Sequence, residues 1–254
     1  MGLEAFSLEG KVAVVTGASR GFGEAIAIGL AEVGADVVLA ARTESALQEV
    51  AAKIEALGRK ALVVPTDMMD KAAINKLADK AMEVFGKIDI LVNNAGLGGS
   101  MPFLKVPEDV WDRTLNVNLK GYFLTTQAVG KYMFEAKAGR VINISSTMGH
   151  YPLGYMAHYA ASKGGINAMT KSLAQEWASF GITVNAIAPS YFETDMTEDS
   201  RENEHANALI MSKTPLARYG KVEELVGLVV YLACDNSSYL TGAVIPMDGG
   251  WSAG

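Results

Sequence analysis

Thr16-Gly17-Ala18-Ser19-Arg20-Gly21-Phe22-Gly23 joins a short Val-rich run to a segment whose apolar residues repeat at helical spacing. Its three glycines carry no Cβ, so the backbone can turn sharply and approach a ligand closely. The helix that follows would direct free N–H groups and the positive end of its dipole at the same point. The stretch therefore predicts a binding site for the pyrophosphate of a dinucleotide.

Two other interpretations of this stretch stay open. Its spacing is Gly-x-x-x-Gly-x-Gly rather than the commoner Gly-x-Gly-x-x-Gly, and a chain with 26 glycines can place three of them in a plain strand-to-helix turn. Residues Gly17–Gly21 also match Gly-x-Ser-x-Gly, the nucleophile elbow of α/β hydrolases. The hydrolase interpretation is disfavoured because the match follows the first strand, which leaves no earlier loop for the usual oxyanion donor.

Short runs rich in Val and Ile alternate with segments of helical periodicity along the whole chain. The predicted strands are Val12–Thr16, Val37–Ala41, Ala61–Pro65, Ile88–Asn93, Val141–Ser145, Ile182–Ala188 and Ala243–Met247. The predicted helices are Phe22–Val33, Glu44–Leu57, Lys71–Phe85, Glu108–Ala136, Ala157–Phe180 and Val222–Ala233. Continuous apolar runs without polar alternation are typical of strands buried on both faces. The sequence predicts one α/β domain over residues 1–254, a doubly wound parallel sheet of about seven strands with helices on both faces.

The polar stretch Thr194–Lys213 interrupts this alternation late in the chain. An insertion of this kind in a compact domain is more often a functional lid than a domain boundary. We therefore expect a substrate lid near residues 190–215.

Composition narrows the class of protein and its location. The chain of 254 residues has a formal net charge of −6, which argues against nucleic acid because nucleic acid is bound by basic surfaces. Residues Met1–Gly10 lack a basic segment followed by an apolar one, and no run approaches the ~20 apolar residues of a membrane span. The lone Cys234 is expected to fill space among apolar neighbours and fits a reducing compartment. We expect a cytoplasmic protein with no nucleic-acid, membrane or metal partner.

The end of the second predicted strand bears on the choice of dinucleotide. An NAD site places a carboxylate there to accept a hydrogen bond from the ribose 2′-hydroxyl, whereas this chain has Ala41 followed by Arg42. A guanidinium suits a 2′-phosphate through charge-assisted bidentate bonding, and Arg20 is a second candidate. NADP(H) is therefore favoured over NAD(H), with a solvated Arg42 as the alternative.

Tyr159 and Lys163 are four residues apart, which places a phenol and an ammonium on one face of a helix. A phenol of ordinary pKa is a poor base at neutral pH, and a neighbouring ammonium and an oxidised nicotinamide would both lower that pKa. Such a pair also arises by chance, so its surroundings matter. A buried run ends in Ser145-Ser146, thirteen residues before Tyr159, although the serines could be simple strand-end caps. Asn118 interrupts an otherwise apolar helical segment and predicts a kink or a buried water site there.

Together these motifs resemble the short-chain dehydrogenase/reductase family over essentially the whole chain. The matching pieces are Thr16–Gly23, Asp67, Asn93–Gly96, Asn118, Ser146, Tyr159 with Lys163, Pro189–Thr194, and Leu240-Thr241-Gly242 with Asp248-Gly249-Gly250. The resemblance implies an oxidoreductase that moves a hydride between a nicotinamide dinucleotide and a carbonyl or alcohol carbon. It implies that Tyr159 is the acid/base and that Ser146 orients the carbonyl. Lys163 would hold the ribose and lower the Tyr pKa, and Asn118 would hold a water that relays protons.

The resemblance also implies which residues contact the cofactor. They are Gly17, Ser19, Arg20, Gly21, Phe22, Gly23, Arg42, Asp67, Met68, Asn93, Ala95, Gly96, Tyr159, Lys163, Pro189, Phe192 and Thr194. Asp67 would meet the adenine amino group, with a loop cap as the alternative, and Thr194 would hold the nicotinamide carboxamide. The chain departs from the family pattern at Ser190, where Gly usually follows Pro, and at His158, which either packs or lines the pocket.

The substrate pocket is expected to be apolar and rich in aromatic residues. Its predicted lining is Leu97–Ser100, Thr147–Tyr155, Tyr191–Phe192 and the lid. We expect a small ketone, diketone or sugar-derived alcohol; the acidic lid disfavours an anionic substrate. The alternative is the family's 3-oxoacyl-(acyl-carrier-protein) reductases, which tend to carry Arg where this chain has Phe180, although Lys131 is nearby. A dinucleotide-sensing module without catalysis is a remoter alternative.

Two features point to assembly of several subunits. The long helical segments carry apolar residues on more faces than a sheet can cover, and the run Val244–Trp251 is apolar for a chain end. Pairing of subunits through these helices and the C-terminal strand would cover both surfaces. The resemblance implies a homotetramer built in this way, with the C-terminus of one subunit near another's pocket. A larger single domain is the alternative.

Overall fold

The computed structural model describes residues 3–253; Met1, Gly2 and Gly254, which the single-domain prediction and the expectation for residues 1–10 include, lie outside the described residues. The strands are β1 (Val12–Thr16), β2 (Asp36–Ala41), β3 (Ala61–Pro65), β4 (Ile90–Asn93), β5 (Gly139–Ile144), β6 (Ile182–Pro189) and β7 (Val244–Met247). They form one sheet in the order β3-β2-β1-β4-β5-β6-β7, with every neighbouring pair parallel. The predicted doubly wound parallel sheet is confirmed.

Helices cover both faces of this sheet. They are α1 (Gly21–Glu32), α2 (Glu44–Ala56), α3 (Lys71–Phe85), α4 (Glu108–Leu115), α5 (Gly121–Ala136), α6 (Ala157–Trp177), α7 (Glu198–Glu202), α8 (Glu204–Lys213) and α9 (Val222–Ala233). Helices α1, α2 and α9 pack on one face, and α3, α5 and α6 pack on the other. No helix in the described part of the chain is long and apolar enough to cross a membrane.

Strand β1 shows why the sequence lacks polar alternation. All five of its residues are buried. Ala13 and Val15 belong to the apolar cluster on one face, and Val12 and Val14 belong to the cluster on the other. A strand that is buried on both faces needs apolar side chains at every position, which accounts for the continuous Val-rich run.

Several predicted element boundaries differ from the structure by one to three residues. Strand β4 begins at Ile90, two residues later than predicted; just before it, the Asp89 carboxylate accepts a hydrogen bond from the backbone N–H of Val12 at 2.8 Å. Helix α6 ends at Trp177, and a 3-10 turn at Ala178–Phe180 follows it. The predicted interruption at Asn118 is confirmed, since a π-helical turn at Asn116–Lys120 separates α4 from α5.

Strand order reverses between β1 and β4, since the chain builds β2 and β3 on one side of β1 and the later strands on the other. In open parallel sheets, ligands bind in the crevice at the carboxyl ends of the strands where the order reverses. The glycine turn follows β1 at this edge, and the predicted Asn93–Gly96 segment follows β4. The fold thus brings the separate motifs of the sequence to one edge.

Gly29 of α1 marks the closest approach of α1 to α9, because a Cβ there would overlap the Val226 side chain. Alanine at this position gains about 1 kcal/mol in helix propensity, but overpacking costs about 1–3 kcal/mol. We expect Gly29→Ala to lower the free energy of unfolding of the wild-type chain. In a Val226→Ala background the overlapping methyl group is gone and the Cβ of residue 226 lies 3.4 Å away, an ordinary contact, so the same substitution should raise the free energy of unfolding. Denaturant unfolding of the wild type, the two single variants and the double variant gives the change in free energy of unfolding in each background. An equal loss of stability in the two backgrounds would contradict this packing.

Candidate active site

The glycine turn packs backbone against backbone on the loop after β4. Gly17 has a φ of +66°, and a Cβ on it would lie 2.8 Å from the Cα of Ala95. A Cβ on Gly23 would overlap the carbonyl oxygen of Gly17. Any larger residue would therefore strain this cradle or fill it. A cradle of bare backbone before a helix N-terminus is the shape that a pyrophosphate site requires.

Hydrogen bonds of Asn94 fix the contact between the two loops. Its backbone N–H donates to Thr16 Oγ1 at 2.9 Å, and its Nδ2 donates to the carbonyl oxygens of Thr16 at 2.9 Å and Gly17 at 3.2 Å. Asn94 is missing from the predicted site residues, which include Asn93 instead. The Asn93 side chain is fully buried and donates to side chains on α5 and β5, each at 2.9 Å. A contact of Asn93 with a cofactor would therefore use its backbone.

Residues around the start of α1 connect the glycine turn to the segment after β6. The Arg20 guanidinium lies 3.0 Å from the Asp195 carboxylate, with both side chains mostly exposed. Phe22 packs edge-on against buried Phe192, with ring centroids 5.1 Å apart. A Cβ on Gly21 would lie 3.9 Å from Thr194 Cγ2. The structure thus brings predicted cofactor residues from residues 19–23 and from residues 189–194 next to each other.

The predicted adenosine end of the groove lies at the carboxyl ends of β2 and β3. Arg42 is exposed directly after β2. Asp67 is exposed after β3, and its Oδ1 accepts the backbone N–H of Met69 at 2.9 Å, which is the loop-cap geometry of its alternative role. The Met68 side chain is buried against α5, where Thr125 contacts its sulfur at 3.9 Å. Any contact of Met68 with a cofactor would therefore come from its backbone.

Lys163 and Tyr159 project from one face of α6, as the spacing predicts. The Lys163 Nζ is buried, donates to the backbone oxygen of Ile144 at 2.7 Å and lies 5.7 Å from the centre of the Tyr159 ring. Burial lowers the pKa of Lys163 to about 7. Burial also raises the pKa of Tyr159, and a hydrogen bond with Ser146 opposes that rise. The predicted lowering of the Tyr159 pKa is therefore wrong for the protein's own groups, because burial outweighs the other effects.

The two serines at the end of β5 have different partners. Ser145 Oγ donates to the Asn167 side chain at 2.5 Å and is committed to packing β5 against α6. Ser146 Oγ donates to the Pro189 carbonyl at 3.3 Å and accepts the Met148 N–H at 3.2 Å, and it is near enough to Tyr159 to oppose the rise in the pKa of that phenol. Ser146 therefore caps the turn after β5 and also faces the phenol.

Asn118 lies in the π-helical turn and is completely buried. Its Oδ1 accepts the backbone N–H of Leu97 at 2.7 Å, and its Nδ2 donates to the Leu97 carbonyl at 2.9 Å and to Ser162 Oγ at 3.1 Å. The side chain therefore links the loop after β4 to α6. The π turn is the local distortion that aims this polar side chain inward, and such turns are frequent at functional sites.

An apolar cluster packs against Tyr159. Its members are Met148, Ile210, Tyr219 and Trp251, with Leu153, Met156, Tyr159, Tyr191 and Met211 packed against them. Tyr191 holds the cluster together, since its ring lies 5.4 Å from Trp251 and 6.2 Å from Tyr219. The predicted aromatic character is present, but Tyr219 and Trp251 are not among the predicted lining residues. The apolar run at the chain end was the available signal for Trp251.

The segment after β6 reaches over the cleft at two points. Asp195 pairs with Arg20 of the glycine turn. The Met196 sulfur lies 2.9 Å from where a Cβ on Gly98 would sit, in the loop after β4. His158 is buried and faces the same loop, with its Nε2 at 3.4 Å from a Cβ position on Gly99. The predicted lid segment thus contacts both loops that flank the cleft.

Two further features of the predicted site are the backbone at Ser190 and the lack of a metal-binding cluster in the described residues. Ser190, where the family pattern has Gly, is half-buried and donates its backbone N–H to Met247 at 3.2 Å, which continues the pairing of β6 with β7. Within residues 3–253, no group of three or more His, Cys, Asp or Glu side chains could hold a metal ion.

A family model and individual proteins of known name both match this chain over most of its length. Residues 11–205 match the family model described as short chain dehydrogenase. The 2-dehydro-3-deoxy-D-gluconate 5-dehydrogenase of Escherichia coli strain K12 is 41% identical over 252 residues, which cover 99% of each chain. The 3-oxoacyl-(acyl-carrier-protein) reductase of Thermotoga maritima is 41% identical over 243 residues, which cover 96% of this chain and 98% of that protein.

A solved structure is similar over nearly its full length. The gluconate 5-dehydrogenase of Burkholderia cenocepacia J2315, in complex with NADP and tartrate, superposes with a TM-score of 0.96 at 34% identity and covers 99% of each chain. Both the sheet and the surrounding helices of this chain therefore have a counterpart of known structure.

The buried ammonium of Lys163 predicts a specific dependence of stability on pH. Its pKa falls from 10.5 to about 7 on folding, so between these values the folded chain binds fewer protons than the unfolded chain. Linkage then makes the folded state gain stability as the pH rises through that window. Lys163→Met removes the titration, and we expect the wild type to gain up to roughly 4 kcal/mol relative to it between pH 7 and 10. Denaturant unfolding of both proteins measures this gain, and parallel curves would contradict it.

Proposed function

This chain belongs to the short-chain dehydrogenase/reductase family, and we propose that it moves a hydride between NADP(H) and a ketone or secondary alcohol of a small, sugar-derived molecule. It is an NAD(P)-dependent oxidoreductase that acts on CH–OH and C=O groups. One observation supports acid–base catalysis of this reaction above the others. Tyr159, Ser146 and Lys163 lie together at the carboxyl edge of the sheet, beside the glycine turn.

The residues at the glycine turn fit a dinucleotide. Gly17–Gly23 leave a backbone cradle that side chains would fill, and α1 begins there without a side-chain cap from Arg20 in the described structure. In our proposal the guanidinium groups of Arg42 and Arg20 bind the 2′-phosphate, and Thr194, whose Cγ2 lies 3.9 Å from a Cβ position on Gly21, holds the nicotinamide carboxamide. NADP(H) supplies or accepts the hydride when bound. The similar gluconate 5-dehydrogenase structure contains NADP, which supports this choice over NAD(H).

The side chains around Tyr159 divide the acid–base work. Tyr159 gives a proton to the substrate oxygen in reduction and takes it back in oxidation. The Ser146 hydroxyl, next to the phenol, hydrogen-bonds the same oxygen and orients the carbonyl. Lys163 brings a positive charge 5.7 Å from the Tyr159 ring, which favours the phenolate once the proton has left. Asn118 keeps the loop after β4 in place at the floor of the site.

The substrate class follows from the pocket and from the relatives. In our proposal the half-buried Tyr191, which packs against the buried rings of Tyr219 and Trp251, offers its ring to the C–H faces of a small polyhydroxylated chain. Relatives over nearly the whole chain are named for sugar-acid substrates. These names count against the expectation that the acidic lid disfavours an anionic substrate. Residues 190–215 serve as the lid over this pocket in our proposal.

The acyl-carrier-protein reductase activity is the second candidate, because one relative of 41% identity bears that name. Docking of an acidic carrier protein needs free cations. Phe180 packs on Phe134, with ring centroids 4.4 Å apart, and offers none. Lys131 pairs with Asp79 at 3.0 Å and lies over the Tyr132 ring. These contacts favour the free small molecule.

Assembly as a homotetramer in the cytoplasm completes the proposal. A groove of about 400 Å³ runs between α5 and α6, and its apolar lining includes Phe123, Met169 and Leu173. Nearly half of the Phe123 side chain is exposed, which is costly for an isolated subunit. Two copies that pair through this groove would bury it. The free, buried thiol of Cys234 suits a reducing compartment.

Tyr159→Phe tests the acid/base assignment, because it removes the proton and keeps the ring. We expect kcat to fall by orders of magnitude on every substrate while NADPH still binds. Steady-state rates on a panel of sugar acids, neutral sugars, diketones and an acyl thioester also identify the substrate. Tyr239→Phe, at a fully exposed tyrosine, is the control. Retention of more than about a tenth of kcat would refute the assignment.

Arg42→Ala tests the choice of cofactor. NADP alone carries the 2′-phosphate, and a charge-assisted contact of about 1.5–3 kcal/mol predicts a 10- to 150-fold loss of NADPH affinity with little change for NADH. Arg42→Lys keeps the charge without the bidentate geometry, so its NADPH affinity should lie between those of the wild type and Arg42→Ala. Fluorescence titration with each cofactor gives the affinities. Equal losses for both cofactors, or a wild-type preference for NADH, would overturn the proposal.

Light scattering tests the assembly. We expect four times the chain mass of 26.9 kDa at micromolar concentration. Phe123→Glu should reduce the mass, because it places a charge in the apolar groove between α5 and α6. A wild-type protein that turns over as a monomer of chain mass would contradict the proposal.

A further inference from the structure

The ammonium of Lys163 lies between two phenol rings. Its Nζ is 5.7 Å from the centre of the Tyr159 ring and 5.5 Å from the centre of the Tyr122 ring. In the described part of the chain, its hydrogen-bond partner is a single backbone oxygen, that of Ile144. A buried ammonium is also attracted by the ring faces that lie within about 6 Å of it, so both rings bear on its charge.

Tyr122 lies in the first turn of α5 and is 1% exposed. Its hydroxyl donates to the Ile144 carbonyl at 3.1 Å, the same oxygen that accepts from Lys163 at 2.7 Å. A carbonyl oxygen has two lone pairs, so the two donors occupy it together. The phenol therefore fixes the acceptor of Lys163 and places its ring beside the ammonium.

We propose that Tyr122 is a positioning residue, which keeps Lys163 protonated and aimed at Tyr159 by offering its ring face and by sharing the Ile144 carbonyl. The proposal rests on the proposed function, in which Lys163 must carry a charge. A ring face attracts a cation through its quadrupole, and the attraction grows when the cation is desolvated, as Lys163 is. Tyr122 does this without touching substrate or cofactor.

The ionisation states of the neighbours fit this role. Burial lowers the pKa of Lys163 to about 7, so a modest loss of stabilisation would discharge it at neutral pH. The titratable groups that face the ammonium are Tyr122 from α5 and Tyr159 from α6, and Tyr191 from the segment after β6 faces Tyr159. Burial raises the pKa of Tyr122 well above 10, so its hydroxyl stays a neutral donor.

Replacement of Tyr122 by phenylalanine, 4-fluorophenylalanine and 3,4,5-trifluorophenylalanine weakens the ring face in steps and keeps its shape. Tyr122→Phe removes the hydroxyl and keeps the ring face, so it should shift the pKa of Lys163 by less than about 0.3 unit. From phenylalanine to the trifluoro residue, the pKa of Lys163 should fall by roughly half to one unit. Lys163 acts as its charged form, so activity is lost as the pH rises through this pKa. The alkaline limb of kcat/KM for ketone reduction should therefore move to lower pH in step with the fluorine content.

A second readout needs no substrate. Trace acetylation of the whole protein by acetic anhydride across pH, read by peptide mass spectrometry, gives the titration midpoint of Lys163 itself. The same series at Tyr132 is the control, because Tyr132 is on the same helix, lies under Lys131 at 4.5 Å and bonds to Asp79. Substitutions at Tyr132 should leave the Lys163 midpoint unchanged.

The outcomes separate this inference from the proposed function. A Lys163 midpoint that falls with fluorination at 122 and not at 132 supports the role of Tyr122, whether or not a substrate has been found. A midpoint that stays constant through the Tyr122 series overturns it, even in an enzyme that turns over normally. Tyr122→Leu, which removes the ring, should lower the midpoint at least as far as the trifluoro variant; should it fail to fold, the fluorinated series decides.

Discussion

Parallel pairing of β1 with β4 is the constraint on which the site depends. The strand order reverses at this pair, so the loops that follow the two strands meet instead of diverging. The hydrogen bonds of Asn94 to Thr16 and Gly17 turn that meeting into a fixed contact between backbones. On one side of this junction, the ends of β2 and β3 position the residues predicted to contact the adenosine, Arg42 and Asp67. The ends of β5 and β6 carry the groups around Tyr159 to the other.

The second constraint is the buried charge at Lys163. Its ammonium lies where β5, α5 and α6 converge, and each of them contributes a contact through Ile144, Tyr122 or Tyr159. Burial of an isolated charge is costly, and strongly perturbed ionisable groups cluster at functional sites. The fold tolerates the cost because the sheet edge supplies an oriented carbonyl and the helices supply aromatic faces. This arrangement links the packing of the core to the acid–base chemistry at its edge.

Much of the fold and of the site can be predicted from the sequence, because the signals are local. Continuous apolar runs such as Val12–Thr16 indicate strands buried on both faces, and the glycine turn and the Tyr159–Lys163 spacing each lie within eight residues. Asn118 in a helical segment predicts a distortion for the same reason, and a π turn is present there. The pattern of these local signals also carries the family resemblance.

The rest depends on contacts between distant parts of the chain. Which of two adjacent asparagines faces the glycine turn is set by the pairing of β4, so Asn94 could not be separated from Asn93 by sequence alone. Trp251 packs against Tyr191, which lies far from it along the chain, and the apolar run Val244–Trp251 does not show which residues it contacts. The pKa of Tyr159 depends on the depth of its burial, which is a property of the packed structure.

A crystal structure of the protein with NADP⁺ bound tests the central claim, that one cleft at the carboxyl edge of the sheet unites the glycine turn with the groups around Tyr159. The account predicts the pyrophosphate on the backbone of Gly17–Gly23, with the nicotinamide ring directed toward the Tyr159 hydroxyl and the ribose within reach of Lys163. A dinucleotide bound elsewhere, or one whose nicotinamide points away from Tyr159, would contradict it.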